Sequence, residues 1–118
     1  QYLHRIAPKA LIVVIGVSDR SIRSGSSYVT NPNVLKLRQV QKEAALENAC
    51  VFWDLFEAMG GNNSMPSWVL REEPLANKDF IHFNNKGAEF VGKMFLNSLF
   101  KELEKRKAAN NTTKILSN

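Results

Sequence analysis

Asp79 and His82 stand three positions apart in the segment KDFIHF, residues 78–83, just ahead of an amphipathic run that opens at Asn84. On a turn, this spacing lets the carboxylate accept the imidazole Nδ1–H, which leaves Nε2 available to take a proton from a nucleophile. Bulky apolar neighbours are expected to bury the pair in surroundings of lower dielectric and so strengthen the hydrogen bond. These neighbours are Phe80, Ile81 and Phe83.

The pattern of Asp79 and His82 is also compatible with a purely structural role. A surface ion pair, or a carboxylate at the positive end of the following helix, would use the same residue types. Four-residue patterns of this kind occur often by chance, so a catalytic role for Asp79 and His82 depends on the elements around them. A catalytic role would also require a nucleophile as a third part.

The composition is that of one small folded domain, with 118 residues, 44% hydrophobic and 23% charged. The net charge is +5, and the segment from residue 101 onward contributes +3 of it through five basic and two acidic residues. Without interleaved aromatic residues or a groove-reading motif, this pattern predicts a solvated tail and no nucleic-acid partner. The longest apolar run, residues 10–15, is too short for a membrane span.

The order of the elements predicts an α/β fold. Residues 10–16 form a continuous, β-branched run that is typical of a strand buried on both faces of a parallel sheet. Residues 50–55, CVFWDL, form a second such strand with Asp54 at its carboxyl end. Residues 34–49 between them place apolar side chains at helical spacing, which completes a βαβ unit. The predicted buried face of this helix consists of Val34, Leu37, Val40, Ala44 and Ala45.

The remaining segments surround the Asp79 and His82 pattern. Residues 57–69 are rich in Gly and Asn and are expected to form a loop beyond the second strand, where open α/β folds bind ligands. Met65 and Trp68 on this loop are expected to be exposed and are candidates for substrate binding, with burial against the core as the alternative. Asn84 is expected to cap a helix that ends near residue 105, and residues 108–118 are predicted to be a flexible tail.

Two strands are too few for a complete parallel sheet, because each is apolar on both faces and needs neighbours. The chain also begins at Gln1, inside an apparent element. We therefore expect that a missing amino-terminal half, or a second copy of the chain, supplies the other strands.

With these elements in place, KDFIHFNNKGAEFVGKMFLNSL resembles the last conserved block of the SGNH, or GDSL-like, family of esterases and acylhydrolases. ALIVVIGVSD and FWDLFEAMGG are similar to later strands and a loop of that family. The resemblance spans residues 5–103 and is most specific at 78–99. It implies a three-layer α/β/α, flavodoxin-like fold that hydrolyses acyl esters, with residues 1–107 as its carboxyl-terminal part.

The resemblance implies that a serine attacks the ester, that His82 is the general base and that Asp79 orients it. The family's nucleophile and oxyanion blocks are not in this sequence, and RSGSS at residues 23–27 follows a later strand, unlike a nucleophile turn. By itself the chain is therefore expected to be inactive. Relatives with a similar MGG…W loop act on carbohydrate or cell-wall O-acetyl groups. This likeness implies a bacterial O-acetylesterase, periplasmic or extracellular, that needs no cofactor.

Other candidate residues have weaker support. Cys50 opens an apolar strand, where a thiol is more often inert packing than a nucleophile paired with His82. His4 is expected to be structural or exposed, and Arg20 and Arg23 would meet an anionic substrate or only solvent. No cluster of acidic residues and histidines has the spacing of a metal site.

Two further functions belong to different classes. A non-catalytic α/β binding or assembly domain would keep the fold without the chemistry. A flavodoxin-like or receiver-like domain has the same order of elements, but the first strand is followed by neither a phosphate-binding loop nor an acidic cluster.

Overall fold

A pair of parallel strands forms the central sheet of the computed structural model, which describes the backbone of residues 2–116 and the side chains of residues 2–111. In chain order the elements are α1 (Tyr2–Ile6), β1 (Val13–Ile15), β2 (Ser21–Ser24), β3 (Ser27–Thr30), α2 (Pro32–Glu47), β4 (Val51–Trp53), α3 (Leu55–Ala58), α4 (Ser64–Leu70) and α5 (Asn85–Leu116). β1 runs parallel to β4, with Val13 opposite Val51. Both strands lie inside the predicted segments, so the βαβ prediction is confirmed with shorter strands.

Helix α2 connects the two parallel strands and begins two residues earlier than predicted. Asn31 caps it by accepting a hydrogen bond from the Asn33 amide at 3.0 Å. Val34 and Ala45 are buried as expected, whereas Leu37 is 47% and Val40 60% exposed. The predicted amphipathic helix is therefore present, but only part of its apolar face is buried, because no described element covers Leu37 and Val40.

The segment between β1 and α2, which was predicted to be a loop, contains an antiparallel hairpin made by β2 and β3. Gly25 opens its two-residue turn at φ 61, a left-handed backbone that glycine adopts without steric cost. The strands were missed because each is only four residues long and serines interrupt the alternation of apolar and polar residues. RSGSS is the tip of this hairpin.

Residues 57–69 are also more regular than predicted, because they include the end of α3 and most of α4. Asp54 caps α3 by accepting from the Glu57 amide, and the Arg38 guanidinium binds the same carboxylate through Nε and Nη2. Gly60 and Gly61 both have positive φ and form the turn between the two helices. The predicted exposure of Met65 and Trp68 on a loop is wrong, since both lie in the core.

Helix α5 starts where predicted and continues farther. Asn84 accepts a hydrogen bond from the Gly87 amide at 2.9 Å, as an N-cap does. Val91 and Met94 pack against the core, and Phe95 contacts the Trp53 ring edge to face. The helix runs to Leu116, through most of the predicted tail, because residues 101–109 are mostly good helix formers. The flexibility of residues 108–118 stays a prediction, and residues 117–118 lie outside the described part.

The hydrophobic core lies on one side of the molecule, between α3, α4, the segment that precedes α5, and the start of α5. Its members are Leu55, Met59, Met65, Trp68, Val69, Leu75, Ala76 and Phe80. On the sheet, in contrast, Ile15 is 50% exposed and Leu11, just before β1, is 53% exposed. Within residues 2–116, no helix combines the length and the apolar character needed to cross a bilayer.

The two glycines of α5 give a matched test of this packing. A Cβ at Gly87 would overlap the Leu75 carbonyl, whereas a Cβ at Gly92 meets nothing. We expect Gly87→Ala to lower the free energy of unfolding by about 1–3 kcal/mol, because backbone must move apart. Gly92→Ala should raise it by about 0.5–1 kcal/mol through helix propensity. Urea unfolding of both variants measures the difference, and shifts of the same sign would contradict this packing.

Candidate functional site

Asp79 and His82 make a direct hydrogen bond in the structure. The His82 Nδ1–H donates to Asp79 Oδ2 at 2.7 Å. Asp79 Oδ1 accepts from the backbone amides of Ile81 at 2.9 Å and His82 at 3.1 Å. Because an ionised carboxylate can only accept, Nδ1 holds the ring proton and Nε2 keeps the lone pair that can take up another proton.

The pair is more exposed than the sequence predicted. The His82 side chain is 72% and the Asp79 side chain 44% exposed. The neighbours do not cover the pair: Phe80 is buried in the core, and Phe83 packs on Trp68 with ring centroids 5.4 Å apart. Burial by these residues was therefore predicted wrongly, because their side chains turn inward and leave the pair outside.

We call residues 77–83 the site loop, and its fold depends on the buried ring of Phe80. Phe80 has φ 58, a left-handed conformation that is unfavourable for a bulky residue. It is held there by its ring, which stacks on Tyr28 at 3.7 Å with an interplanar angle of 6°. The Phe80 amide donates to the Asn77 carbonyl, and the Asn77 amide donates to the His82 carbonyl at 2.8 Å. The turn thus closes with Asp79 and His82 on its outer side.

Asn84 anchors the other end of the site loop. Its amide donates to the Leu75 carbonyl at 3.1 Å, and its side-chain Nδ2 donates to the Pro74 carbonyl at 2.7 Å. Because Asn84 caps α5, Asp79 is not the helix cap that the sequence left as an alternative. His82 is therefore held between the buried Phe80 and the capped start of α5.

The geometry also sets the charge of the pair. The hydrogen bond from the His82 side chain, followed by those from the His82 and Ile81 amides, lowers the pKa of Asp79 to about 2. Asp79 is thus ionised at neutral pH and can stabilise a positive charge that forms on His82. Because both side chains are exposed, the ion pair itself adds little to the stability of the fold.

Met65 and Trp68 do not present side chains to solvent. Met65 is completely buried, and Trp68 is buried with its indole N–H donating to the Met59 carbonyl at 2.9 Å. Trp68 instead contacts the site loop from inside the core, where its ring packs against that of Phe83. Direct substrate contact by either side chain has no support in this geometry.

A buried carboxylate close to the site was missed by the sequence interpretation. Asp19 is fully buried and accepts hydrogen bonds from Thr30, Ser64 and the Met65 amide. The sequence did contain one indication of a role for Asp19, its position just after a buried strand. Open α/β folds place functional groups at the edge of the sheet where such strands end.

In the part of the chain that the structure describes, none of the other candidates hydrogen-bonds to Asp79 or His82. Cys50 precedes β4 at its amino end, with its Sγ 3.8 Å from His4 Nε2, and His4 also contacts the Asn48 carbonyl at 2.7 Å. Ser27 is next to Tyr28 in β3, so its side chain lies on the opposite face of the hairpin from Tyr28 and Phe80. Ser24 pairs with Ser27 and shares that face. Arg20 and Arg23 are exposed. Among the described residues, no three His, Cys, Asp or Glu side chains gather in a metal-binding group.

Two concave surfaces are relevant to ligand binding. A shallow, open depression lies at the start of α5 and is lined by Pro74, Asn77, Phe83, Asn84, Asn85 and Lys86, without Asp79 or His82. A more enclosed, apolar groove lies between the sheet and α5, where Val13, Trp53 and Phe95 form part of its wall. The shallow depression is lined by Phe83, the sequence neighbour of His82, whereas the apolar groove is lined by Glu102 and Arg106, which form an ion pair of their own at 2.9 Å.

Comparison with solved structures identifies the fold. The chain has a mixed α/β architecture, with a small parallel sheet and packed helices, that matches the SGNH hydrolase fold, which confirms the predicted fold class. The matching structure is that of a peptidoglycan O-acetylesterase, with a TM-score of 0.79 and 27% sequence identity over 87% of this chain and 29% of that one. The chain therefore spans less than a third of the length of that protein. No protein-family profile and no curated protein sequence matches it.

The pKa of Asp79 offers a test of the pair. Because its folded-state pKa of about 2 lies below the ordinary value of 3.8, the pair stabilises the fold above pH 3.8. That contribution is lost as the pH falls towards 2. We expect His82→Ala to raise the pKa of Asp79 only part of the way to 3.8, because two backbone amides still donate to it. Carboxyl ¹³C NMR titration measures both values, and an unchanged pKa in the variant would show that the hydrogen bond is not formed.

Proposed function

We propose that this chain carries the acid–base pair of a serine esterase that removes O-acetyl groups from a cell-wall glycan. The observation that carries the proposal is the 2.7 Å hydrogen bond between His82 Nδ1–H and Asp79 Oδ2 on an exposed loop. Its second support is the structural match to a peptidoglycan O-acetylesterase at 27% identity. A substrate of this class lies outside the cytoplasm, so a bacterial periplasmic or extracellular location is part of the proposal.

The pair has the arrangement that acyl transfer requires. As a serine oxygen bonds to the acetyl carbonyl carbon, His82 Nε2 takes the serine proton, and Asp79 stabilises the imidazolium. The imidazolium then gives that proton to the sugar oxygen as the ester bond breaks. Water attacks the acetyl-enzyme in the second half, with His82 again acting as base, and acetate leaves. The exposure of His82 is necessary here, because Nε2 has to reach both a serine and the substrate.

The nucleophilic serine and the oxyanion donors belong, in this proposal, to a segment outside these 118 residues. An amino-terminal half would supply them, whereas a second copy of the chain could supply only further strands for the sheet. The sheet supports this requirement, because parallel strands are stable when both faces and both edges are covered. In the described chain β1 pairs with β4 alone, and Ile15, Leu37 and Val40 are about half exposed or more. A partner that covered these side chains would bury apolar surface as it completed the site.

Acetate release from O-acetylated peptidoglycan by the complete protein tests the function. We expect His82→Ala to lower kcat by about 1,000-fold or more, as loss of a triad base does. His4→Ala is the matched control, since His4 contacts Asn48 and Cys50 instead of the site loop, and it should keep activity within about twofold.

Two results would contradict the proposal in different ways. A His82→Ala variant that keeps most of its activity would remove His82 from the chemistry. A wild-type protein that releases no acetate, although folded, would instead favour the non-catalytic α/β binding or assembly domain.

A further inference from the structure

We infer that Asp19 is a positioning residue for the Asp79 and His82 pair, acting through the β2–β3 hairpin and Phe80. The inference deepens the proposed function and rests on it for its catalytic consequence. It depends on three consecutive sets of contacts that join residues far apart in the sequence.

The first set fixes Asp19 itself. Its Oδ1 accepts the Thr30 hydroxyl at 2.9 Å, and its Oδ2 accepts the Met65 amide at 2.8 Å and the Ser64 hydroxyl at 3.3 Å. All three partners donate, which suits a carboxylate that is fully buried. A buried carboxylate is tolerated only with such partners, so Asp19 ties the end of β3 to the start of α4.

Asn63 doubles this connection. Its amide donates to the Thr30 hydroxyl at 2.7 Å, and its side-chain Oδ1 accepts the Thr30 amide at 2.9 Å. The Thr30 hydroxyl therefore accepts from Asn63 while it donates to Asp19. Loss of either the carboxylate or this hydroxyl would leave buried partners unsatisfied and would loosen the attachment of the hairpin to α4, because only contacts between Thr30 and Asn63 would remain.

The second set joins the hairpin to the site loop. Ser21 lies two residues after Asp19, and its amide donates to the Phe80 carbonyl at 2.9 Å. Ser21 pairs with Thr30 in the hairpin. Residues two apart along a strand share a face, so Tyr28 lies on the same face as Thr30. That face therefore holds both the Asp19 contact and the Tyr28 ring that stacks on Phe80.

The third set is the site loop. Phe80 stays in its left-handed conformation because the hairpin holds both its carbonyl and its ring. If the hairpin moved, Phe80 would relax towards an ordinary conformation, and the flanking Asp79 and His82 would lose their relative orientation. Catalysis is sensitive to displacements of this size, since a misplacement of about 1 Å can cost 100-fold in rate.

Asp19→Asn tests the inference on the full chain. We expect the pKa of Asp79, measured by carboxyl ¹³C NMR, to rise from about 2 towards its ordinary value. In the complete protein, kcat for acetate release should fall about 10- to 100-fold with KM little changed, because orientation is lost and binding is not.

Asp54→Asn is the control for a general loss of stability. Asp54 also binds partners through both oxygens, yet its contacts are with Arg38 and Glu57. It should leave the pKa of Asp79 at about 2. An effect on Asp79 equal to that of Asp19→Asn would reduce Asp19 to a general structural residue and overturn the inference.

Thr30 gives a second, milder test that decides the matter if Asp19→Asn does not fold. Thr30→Val removes the bridging hydroxyl and should raise the pKa of Asp79, whereas Thr30→Ser keeps the hydroxyl and should not. If the folded variants leave Asp79 at about 2 and kcat unchanged, the inference is wrong while the esterase proposal stands. If the pKa of Asp79 shifts but the wild-type protein releases no acetate, the positional coupling holds and the proposed function fails.

Discussion

The burial of Phe80 in a left-handed conformation is the constraint on which the arrangement of the site depends. A bulky residue adopts this conformation only when its surroundings hold it, and here the Tyr28 ring and the Ser21 amide do so. With the Phe80 ring inside the core, the residues on either side must turn outward. The result is that Asp79 and His82 meet at 2.7 Å on the surface, at a place where their contact contributes little to folding.

The two sides of the molecule differ in how completely they are covered. On the side of the site loop, α3, α4 and the start of α5 enclose Met65 and Trp68, and the polar contacts of Asp19 are satisfied. On the side of the sheet, large apolar side chains on β1 and α2 remain about half exposed. The acid–base pair is therefore built by contacts within this chain, whereas the parallel sheet of β1 and β4 is not fully covered in the described residues.

Local features of the site could be predicted from the sequence, and features formed by distant contacts could not. The spacing of Asp79 and His82 and the cap at Asn84 depend on neighbours within a few positions, and the structure contains both contacts. The exposure of the pair was predicted wrongly, because the direction of Phe80 is set by Tyr28, more than fifty positions earlier. Trp68 was placed on a loop because residues 57–69 are rich in Gly and Asn, although the Met59 carbonyl that its indole N–H bonds is only nine positions away. Asp19 was overlooked because its donors lie 11 and 45 or more positions away.

The most direct test is the structure of the complete protein after reaction with a serine-directed fluorophosphonate. The quantity to measure is the distance between the modified serine Oγ and His82 Nε2. If His82 is the base of the triad, one serine outside these 118 residues is labelled, with its Oγ about 3 Å from Nε2 and with Nδ1 still bonded to Asp79. A labelled serine paired with a different base, or a folded protein with no labelled serine, would contradict this role of His82.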